Sequence, residues 1–191
     1  MYALLLHNIA RYVTLSPGEE QQLLSALQYR KIPKRTYLLQ EGEVCRYDYF
    51  ILQGCLRQYE VDEAGREHIV QLGFEDWWIS DWHSLLTHTP SAFNIDALED
   101  AAVAQISKEA LDQLFIEVPA LNTYYRIILQ RAFAALQKRV LLHQKTAEER
   151  YRAFREVYGY FEQRVSQQHI ASYLGITRES LSRLKKQLSG K

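Results

Sequence analysis

The residues best suited to chemistry lie near the carboxyl end, in Ser166-Gln-Gln-His-Ile-Ala-Ser-Tyr-Leu-Gly175-Ile-Thr177-Arg-Glu-Ser-Leu-Ser-Arg-Leu-Lys-Lys-Gln-Leu188. Ser166 can cap a first helix whose buried face is Ile170, Ala171 and Leu174; Gly175 permits a left-handed helix end, and Thr177 can cap a second helix. At about 100° per residue, Leu181, Leu184 and Leu188 gather on one side of that second helix. Arg178, Glu179, Ser182, Arg183 and Lys186 fan across the other side. Two helices joined by a tight glycine turn make a helix-turn-helix, and such an exposed second helix fits the major groove of a DNA duplex. Arg178 and Arg183 can each donate two bonds to guanine, and Glu179 can accept from cytosine N4. Ser166, Gln167, Thr177, Lys185 and Lys186 suit phosphates, which fix register without reading sequence. The plainer reading is a solvated charged face on an ordinary helical hairpin. Ala171, Gly175 and both caps fall where the motif needs them, which favours DNA.

Charge distribution points the same way. The chain has 191 residues and a formal net charge of zero. Residues 1–130 carry 10 Lys/Arg against 18 Asp/Glu, a balance of −8, and residues 131–191 carry 13 against 5, a balance of +8. An acidic body with a basic end suits a polyanionic partner. With 47% apolar and 24% charged residues the composition is that of a folded globular protein, which excludes disorder, collagen and a coiled-coil rod for the whole chain. The opening Met1 to His7 has an apolar run but no basic leader segment or cleavage-like site, and nothing approaches a membrane span, so a cytoplasmic protein is expected.

Several elements must position the motif. Ser16 to Gln28 reads as a short helix, with a serine cap, Pro17 in the first turn and the apolar face Leu23, Leu24 and Leu27. From Lys31 to Ile106 the period shortens to that of strands: Tyr37-Leu-Leu, Tyr47 to Leu52, Cys55 to Val61, His68 to Leu72 and Ala101 to Ile106. Glu41-Gly-Glu43, Gln53-Gly54 and Asp62-Glu-Ala-Gly65 are turn signals, the last a hairpin, and together they imply an antiparallel sandwich or roll. A short helix is predicted from the Ser107 cap to Phe115, and Pro119 can begin a longer one. From Leu121 to His143 two apolar stripes run side by side. Tyr125, Ile128, Ala132, Ala135 and Leu142 form one; Leu129, Phe133, Leu136 and Val140 form the other. Both must be buried. One can lie against the roll, and an identical helix from a second chain is the economical cover for the other. The dimer helix is therefore assigned Tyr125, Ile128, Leu129, Ala132, Phe133, Ala135 and Leu136, the alternative being a helix wedged between domains of one chain. Thr146-Ala-Glu-Glu149 is a capping box that starts a fresh helix, so Gln144-Lys145 is the candidate hinge. The domains expected are a sensor roll over 1–118, the long helix over 119–144 and the helix-turn-helix over 145–191.

These features resemble the cyclic-AMP receptor protein/fumarate–nitrate regulator (Crp/Fnr) family of bacterial transcription factors. The resemblance is carried by the roll ending in Ala97-Leu-Glu-Asp100, the long helix, and Ile170 to Arg183. It implies an α+β fold: a cyclic-nucleotide-binding-like antiparallel β-roll, a dimerisation helix and a helix-turn-helix. It further implies a homodimer on palindromic double-stranded DNA that contacts RNA polymerase, with the family's base-reading Arg, Glu and Arg falling on Arg178, Glu179 and Arg183.

The sequence departs from that family's cyclic-nucleotide binders. Counted back from Ala97 to Asp100, the position of the phosphate-holding Arg falls on Ser91, with Ala92 beside it, and the ribose-holding Glu falls on Asp81. From Glu67 to Ser107 there is no Lys or Arg, while Glu67, Glu75, Asp76, Asp81, Asp96, Glu99 and Asp100 are acidic. A cyclic phosphate needs a charge-assisted partner, which Arg57, Arg126 or Arg131 would have to bring from elsewhere, so cyclic AMP is disfavoured. The candidate effector pocket is Trp77, Trp78, Asp81, Trp82, His83 and Ser91; its aromatic residues either wall a site for a planar effector or plug a vestigial pocket against the long helix. His83 and His88 lack further ligands, so no metal is expected. Two cysteines cannot supply the family's iron–sulfur variant; Cys55 reads as core, and Cys45, in a loop, as a candidate reactive thiol.

Two other classes compete with a regulator. A roll-fold enzyme of the cupin kind needs a His-x-His pair, which the six histidines do not make, and no nucleophile elbow or glycine-rich phosphate loop occurs. A protein-interaction module would keep the helix-turn-helix as a relic. Only three residues follow Leu188, so the β-wing usual after the recognition helix is expected to be missing. That expectation gives a shallow salt dependence of operator binding; a steep slope in a salt titration, near ten released ions, would contradict it.

Overall fold

The computed structural model describes residues 1–189. What was expected beyond Leu188 therefore falls largely on residues outside the described part.

Two N-terminal helices come first, α1 (Ala3–Ala10) and α2 (Pro17–Ala26). Ser16 closes a capping box with Glu19 at the start of α2, as its spacing predicts. Eight strands follow: β1 (Gln28–Ile32), β2 (Tyr37–Leu39), β3 (Tyr47–Gln53), β4 (Leu56–Val61), β5 (Glu67–Gly73), β6 (Trp78–Ile79), β7 (Asn94–Ala97) and β8 (Ala101–Ser107). Helix α3 (Trp82–Thr87) is inserted between β6 and β7. The strands form two four-stranded antiparallel sheets, ordered β1-β8-β3-β6 and β2-β7-β4-β5. Register is fixed by pairs such as Tyr49 with Gln105 and Leu56 with Gly73. Between the sheets Ile51, Leu56, Ile79, Ile95 and Val103 are almost wholly buried. The β4–β5 hairpin turns at the expected place, where Asp62 accepts from the amides of Ala64 and Arg66. Gly54 is obligatory, because at φ 94° an added Cβ would lie 2.6 Å from that of Ala101.

The carboxyl half is helical: α4 (Lys108–Glu117), α5 (Pro119–Leu142), α6 (Ala147–Tyr158), a 3-10 turn over Gly159–Arg164, α7 (Gln167–Leu174) and α8 (Arg178–Ser189). Ser107 caps α4, and Thr146 forms its box with Glu149 at the start of α6. The 24-residue α5 is anchored over its first turns only. Leu121, Tyr124 and Tyr125 are buried against α1, α4 and the roll. Each contributes roughly 1.5–3 kcal/mol by leaving water. Polar ends are matched too: the Tyr124 hydroxyl donates to Asn8 Oδ1 at 2.7 Å and accepts from Trp78 Nε1 at 2.8 Å. Tyr125 packs on Trp78 and Phe115, and so belongs to the subunit's own core rather than to the dimer stripe in which the sequence placed it.

Under Tyr125 lies Asp48, wholly buried. Burial pushes its carboxyl up to about 7, against the opposite pull of bonds from Ser80, Tyr125 and the Tyr49 amide. An unfolded aspartate loses its proton near pH 4, roughly. The folded chain then holds a proton that the unfolded chain has released, so this residue makes stability fall as pH rises from about 4 to about 7. Asn can keep all three bonds without titrating. Urea midpoints measured across that range should fall less steeply for Asp48→Asn than for the parent; identical slopes would contradict this assignment.

Candidate nucleic-acid interface

Ser166 caps α7 by accepting from the His169 amide at 3.1 Å. Gly175 ends that helix at φ 63°, ψ 39°, a left-handed conformation that glycine adopts without penalty, and the Ile176 amide closes the turn on Ala171. Thr177 then caps α8, accepting from the Ser180 amide at 3.2 Å. Leu181 and Leu184 are buried and Leu188 is half-buried, packed with Ile170, Ala171 and Leu174 and with Tyr151 and Phe154 of α6. The leucines thus fix which way the rest of α8 faces.

Arg178, Glu179, Arg183 and Lys186 are exposed and Ser182 is half-buried. Among the described residues none of these charged groups is in an ion pair; Arg183 makes only a 3.3 Å contact to the Ser180 hydroxyl. Ser166, Gln167 and Thr177 are exposed at the two helix starts, so hydroxyls, an amide and backbone N–H groups flank the guanidinium groups. Lys185 departs from the expectation of a phosphate contact: its ammonium sits 2.6 Å from Glu162 and 5.9 Å from the centre of the Tyr151 ring. Burial raises the Glu162 carboxyl, but bonds from Lys185 and the Tyr151 hydroxyl outweigh that and hold it below the usual range. The helical angle carried the signal, since Lys185 is only about 40° from Leu181 around the axis.

Helix α7 is docked on the roll along edge strand β5. The Ser172 hydroxyl donates to the Glu67 carbonyl at 2.6 Å and accepts from the Ile69 amide at 3.0 Å, covering main-chain groups that an edge strand leaves open. Arg57, buried, bonds both oxygens of Asp96 at 2.8 and 3.0 Å, pairs with Glu67 and lies 3.2 Å from His169 Nε2. Burial and the Arg57 charge both depress the His169 imidazole. Arg164 bridges Glu75 and Glu99. The contacts of Arg57 with His169 and of Arg164 with Glu75 and Glu99 tie the helical region to the roll across 65 to 112 positions, beyond any local sequence signal.

Of the expected effector residues, Trp77, Trp78 and Trp82 line one cleft beside α5 and α6, whereas Asp81, His83 and Ser91 stand outside it. Trp77 packs on Phe74 and on Tyr158 of α6, whereas Trp78 and Trp82 pack on Tyr125. His83 is exposed. Asp81 caps α3 through the His83 and Ser84 amides, and its other oxygen accepts from Ser91 at 2.7 Å. The two positions that would hold ribose and phosphate thus satisfy each other. Of the arginines considered as substitutes, Arg57 is consumed by Asp96 and Glu67, Arg131 donates to the Tyr12 hydroxyl, and Arg126 is exposed. Cys45 is not a reactive loop thiol: burial pushes it up to about 11 and Cys55 up to about 12. Among the described residues no group of three or more metal-ligating side chains could hold an ion, and no helix is long and apolar enough to cross a membrane.

A β-roll joined through a long helix to an outward-facing basic recognition helix defines a class, the helix-turn-helix transcription regulators with a cyclic-nucleotide-binding-type sensor. Residues 29–117 match the cyclic nucleotide-binding domain, and residues 164–190 match the bacterial regulatory proteins of the crp family. The fumarate and nitrate reduction regulatory protein of Yersinia pestis is 31% identical over 189 residues, covering 90% of this chain and 73% of that one. Its Vibrio cholerae counterpart is 29% identical over 186 residues, covering 90% and 73%. Among solved structures, FixK2 of Bradyrhizobium japonicum superposes with a TM-score of 0.72 at 22% identity, covering 86% of this chain and 85% of its own. The c-di-GMP responsive global regulator CLP of Xanthomonas campestris gives 0.73 at 19%, covering 92% of both. The chain belongs to the Crp/Fnr family of transcription regulators.

Proposed function

We propose that the protein works in the cytoplasm as a homodimer in which each α8 reads one half-site of an inverted repeat in double-stranded DNA. Arg178, Glu179 and Arg183 read base edges, with Ser182 beside them, while Ser166, Gln167, Thr177 and Lys186 hold phosphates. The observation that carries this reading is the set of guanidinium groups on α8, exposed and, among the described residues, in no ion pair, held outward by three leucines. Twofold pairing is supported by the outer stripe of α5, where Leu129, Phe133, Leu136 and Val140 are 38%, 61%, 56% and 57% exposed. Ile128 is half-buried on the inner side and packs on the core, and Ala132 and Ala135, together with Leu129 and Leu136, border the gap between α5 and the body.

The sensor roll does not take cyclic AMP in this reading, because Asp81 and Ser91 bond each other and Arg57 is neutralised. No cofactor is required, and the role is non-enzymatic, as the relatives are regulators. Contact with RNA polymerase follows from family membership alone.

On a duplex that the parent protein retains from a random pool, Arg178→Ala and Arg183→Ala should each lose about 1–3 kcal/mol per half-site and relax sequence preference at one base position. Unchanged affinity in both would instead favour a relic helix-turn-helix. Phe133→Glu removes an exposed ring and puts a carboxylate on both sides of the twofold axis. Sedimentation should then show a monomer, with operator affinity down about a hundredfold through lost avidity. A variant that stays dimeric would place the interface elsewhere.

A further inference from the structure

Arg57 on β4 uses every donor its guanidinium has. Its Nε and Nη2 donate to the two oxygens of Asp96 at 2.8 and 3.0 Å. Nη2 also reaches Glu67 at 3.2 Å, and Nη1 pairs with the second Glu67 oxygen. A guanidinium carries five N–H groups, so one remains, and it points from Nη1 to His169 Nε2 of α7 at 3.2 Å. Arginine does not give up its proton, so Nε2 has to accept. An accepting Nε2 means a neutral ring with its proton on Nδ1.

His169 also departs from the chain's other capped helices. Helices α2 and α6 start at Ser16 and Thr146, and in each the third helical residue is a glutamate, Glu19 or Glu149, whose carboxylate turns back to the cap amide. Helix α7 has the serine cap at Ser166, but its third residue is His169, and that side chain reaches across to β4. One turn further on, Ser172 donates to the Glu67 carbonyl at 2.6 Å and accepts from the Ile69 amide at 3.0 Å. His169 and Ser172 share one face of α7. Glu67 therefore serves that face twice, by its main chain through Ser172 and by its side chain through Arg57.

We propose that His169 is a positioning residue that fastens α7 to the β4–β5 edge only while its imidazole is neutral, so that acid loosens the helix leading through Gly175 into α8. A proton on Nε2 would set two donors face to face. Around the ring, Arg57 on β4 opposes that proton, whereas Glu67 on β5 and Asp96 on β7 favour it, with their carboxylates already engaged by Arg57. Burial and the Arg57 charge prevail and hold the imidazole below its ordinary 6.5. The first turn of a helix disfavours a cation as well. The docked helix thus binds fewer protons than a loosened one. Docking is at full strength above about pH 6.5 and weakens as pH falls through the docked value. The stack of Phe74 on Phe161 holds no titrating group, so the head stays on the roll while α7 loosens. The consequence for DNA rests on the reading of α8 given above; the docking itself does not.

Exchange of the Ile69 amide hydrogen reports the docking directly, because its partner is Ser172. Measured by NMR on the full chain and corrected for the intrinsic rate, its protection should be about threefold or more lower near pH 5 than near pH 7.5. His169→Gln offers an amide oxygen to Arg57 and does not titrate, so its protection should stay level over that range. His169→Leu offers no acceptor and should be weakly protected throughout. Nitrogen shifts of His169 at neutral pH should show the Nδ1–H tautomer. Operator affinity of the parent, divided by that of His169→Gln at each pH, should fall together with the protection. The Nε2–H tautomer at neutral pH would overturn the proposal, and so would equal losses of protection in the parent and His169→Gln. An affinity ratio that stays flat while protection falls would contradict the positioning role. A chain that binds no duplex at any pH counts against the reading of α8, and the exchange result then decides the docking by itself.

Discussion

Helix α5 has to satisfy two apolar faces about 100° apart around one axis, and the rest of the molecule is arranged around that requirement. The inner face is settled within the subunit. Leu121, Tyr124 and Tyr125 are buried, and both tyrosine hydroxyls end on polar groups of the roll and of α1 rather than in an apolar void. The outer face begins to be exposed at Leu129 and continues through Val140, where the helix has left the roll behind. A second copy applied there sets the spacing of two reading helices, so the same residues that shape the monomer's surface would define the length of the operator.

The reading head is held to the roll by apolar and polar contacts together. Its core runs on into the roll, where Phe74 stacks on Phe161 and touches Tyr158, and Ile69 and Leu72 join the same buried cluster as Leu174 and Leu181. Polar contacts border that cluster: Ser172 on the β5 edge, Arg57 beside His169, and Arg164 across Glu75 and Glu99. The partly exposed Arg164 pairs contribute modestly to stability, typically below about 1 kcal/mol each, while fixing orientation.

Much of this was legible in the sequence because it is local. Caps at Ser16, Ser107, Thr146, Ser166 and Thr177, the Gly175 turn and the Asp62–Gly65 hairpin each depend on residues within four positions, and all are formed. Helix α1 gave no start signal because it has no side-chain cap. Strand β7 was missed because its alternating Asn94 and Asp96 are buried, satisfied by the Glu41 amide and by Arg57 far along the chain. For the same reason the sequence could rank Asp81 and Ser91 as poor nucleotide ligands but could not show that they bond each other. Lys185 was misread by charge alone, its partner Glu162 lying on the 3-10 turn before α7. Grouping Tyr125 with the dimer stripe failed likewise, since spacing gives a face but not which neighbour covers it.

The proposed function turns on two outward recognition helices related by a twofold axis through the long helices. Selecting bound fragments from a pool of random duplex DNA tests it most directly. The proposed dimer calls for an inverted repeat with half-site centres about one helical turn apart, roughly 10–10.5 base pairs. Recovery of a single unrepeated half-site, or no enrichment over the starting pool, would contradict it.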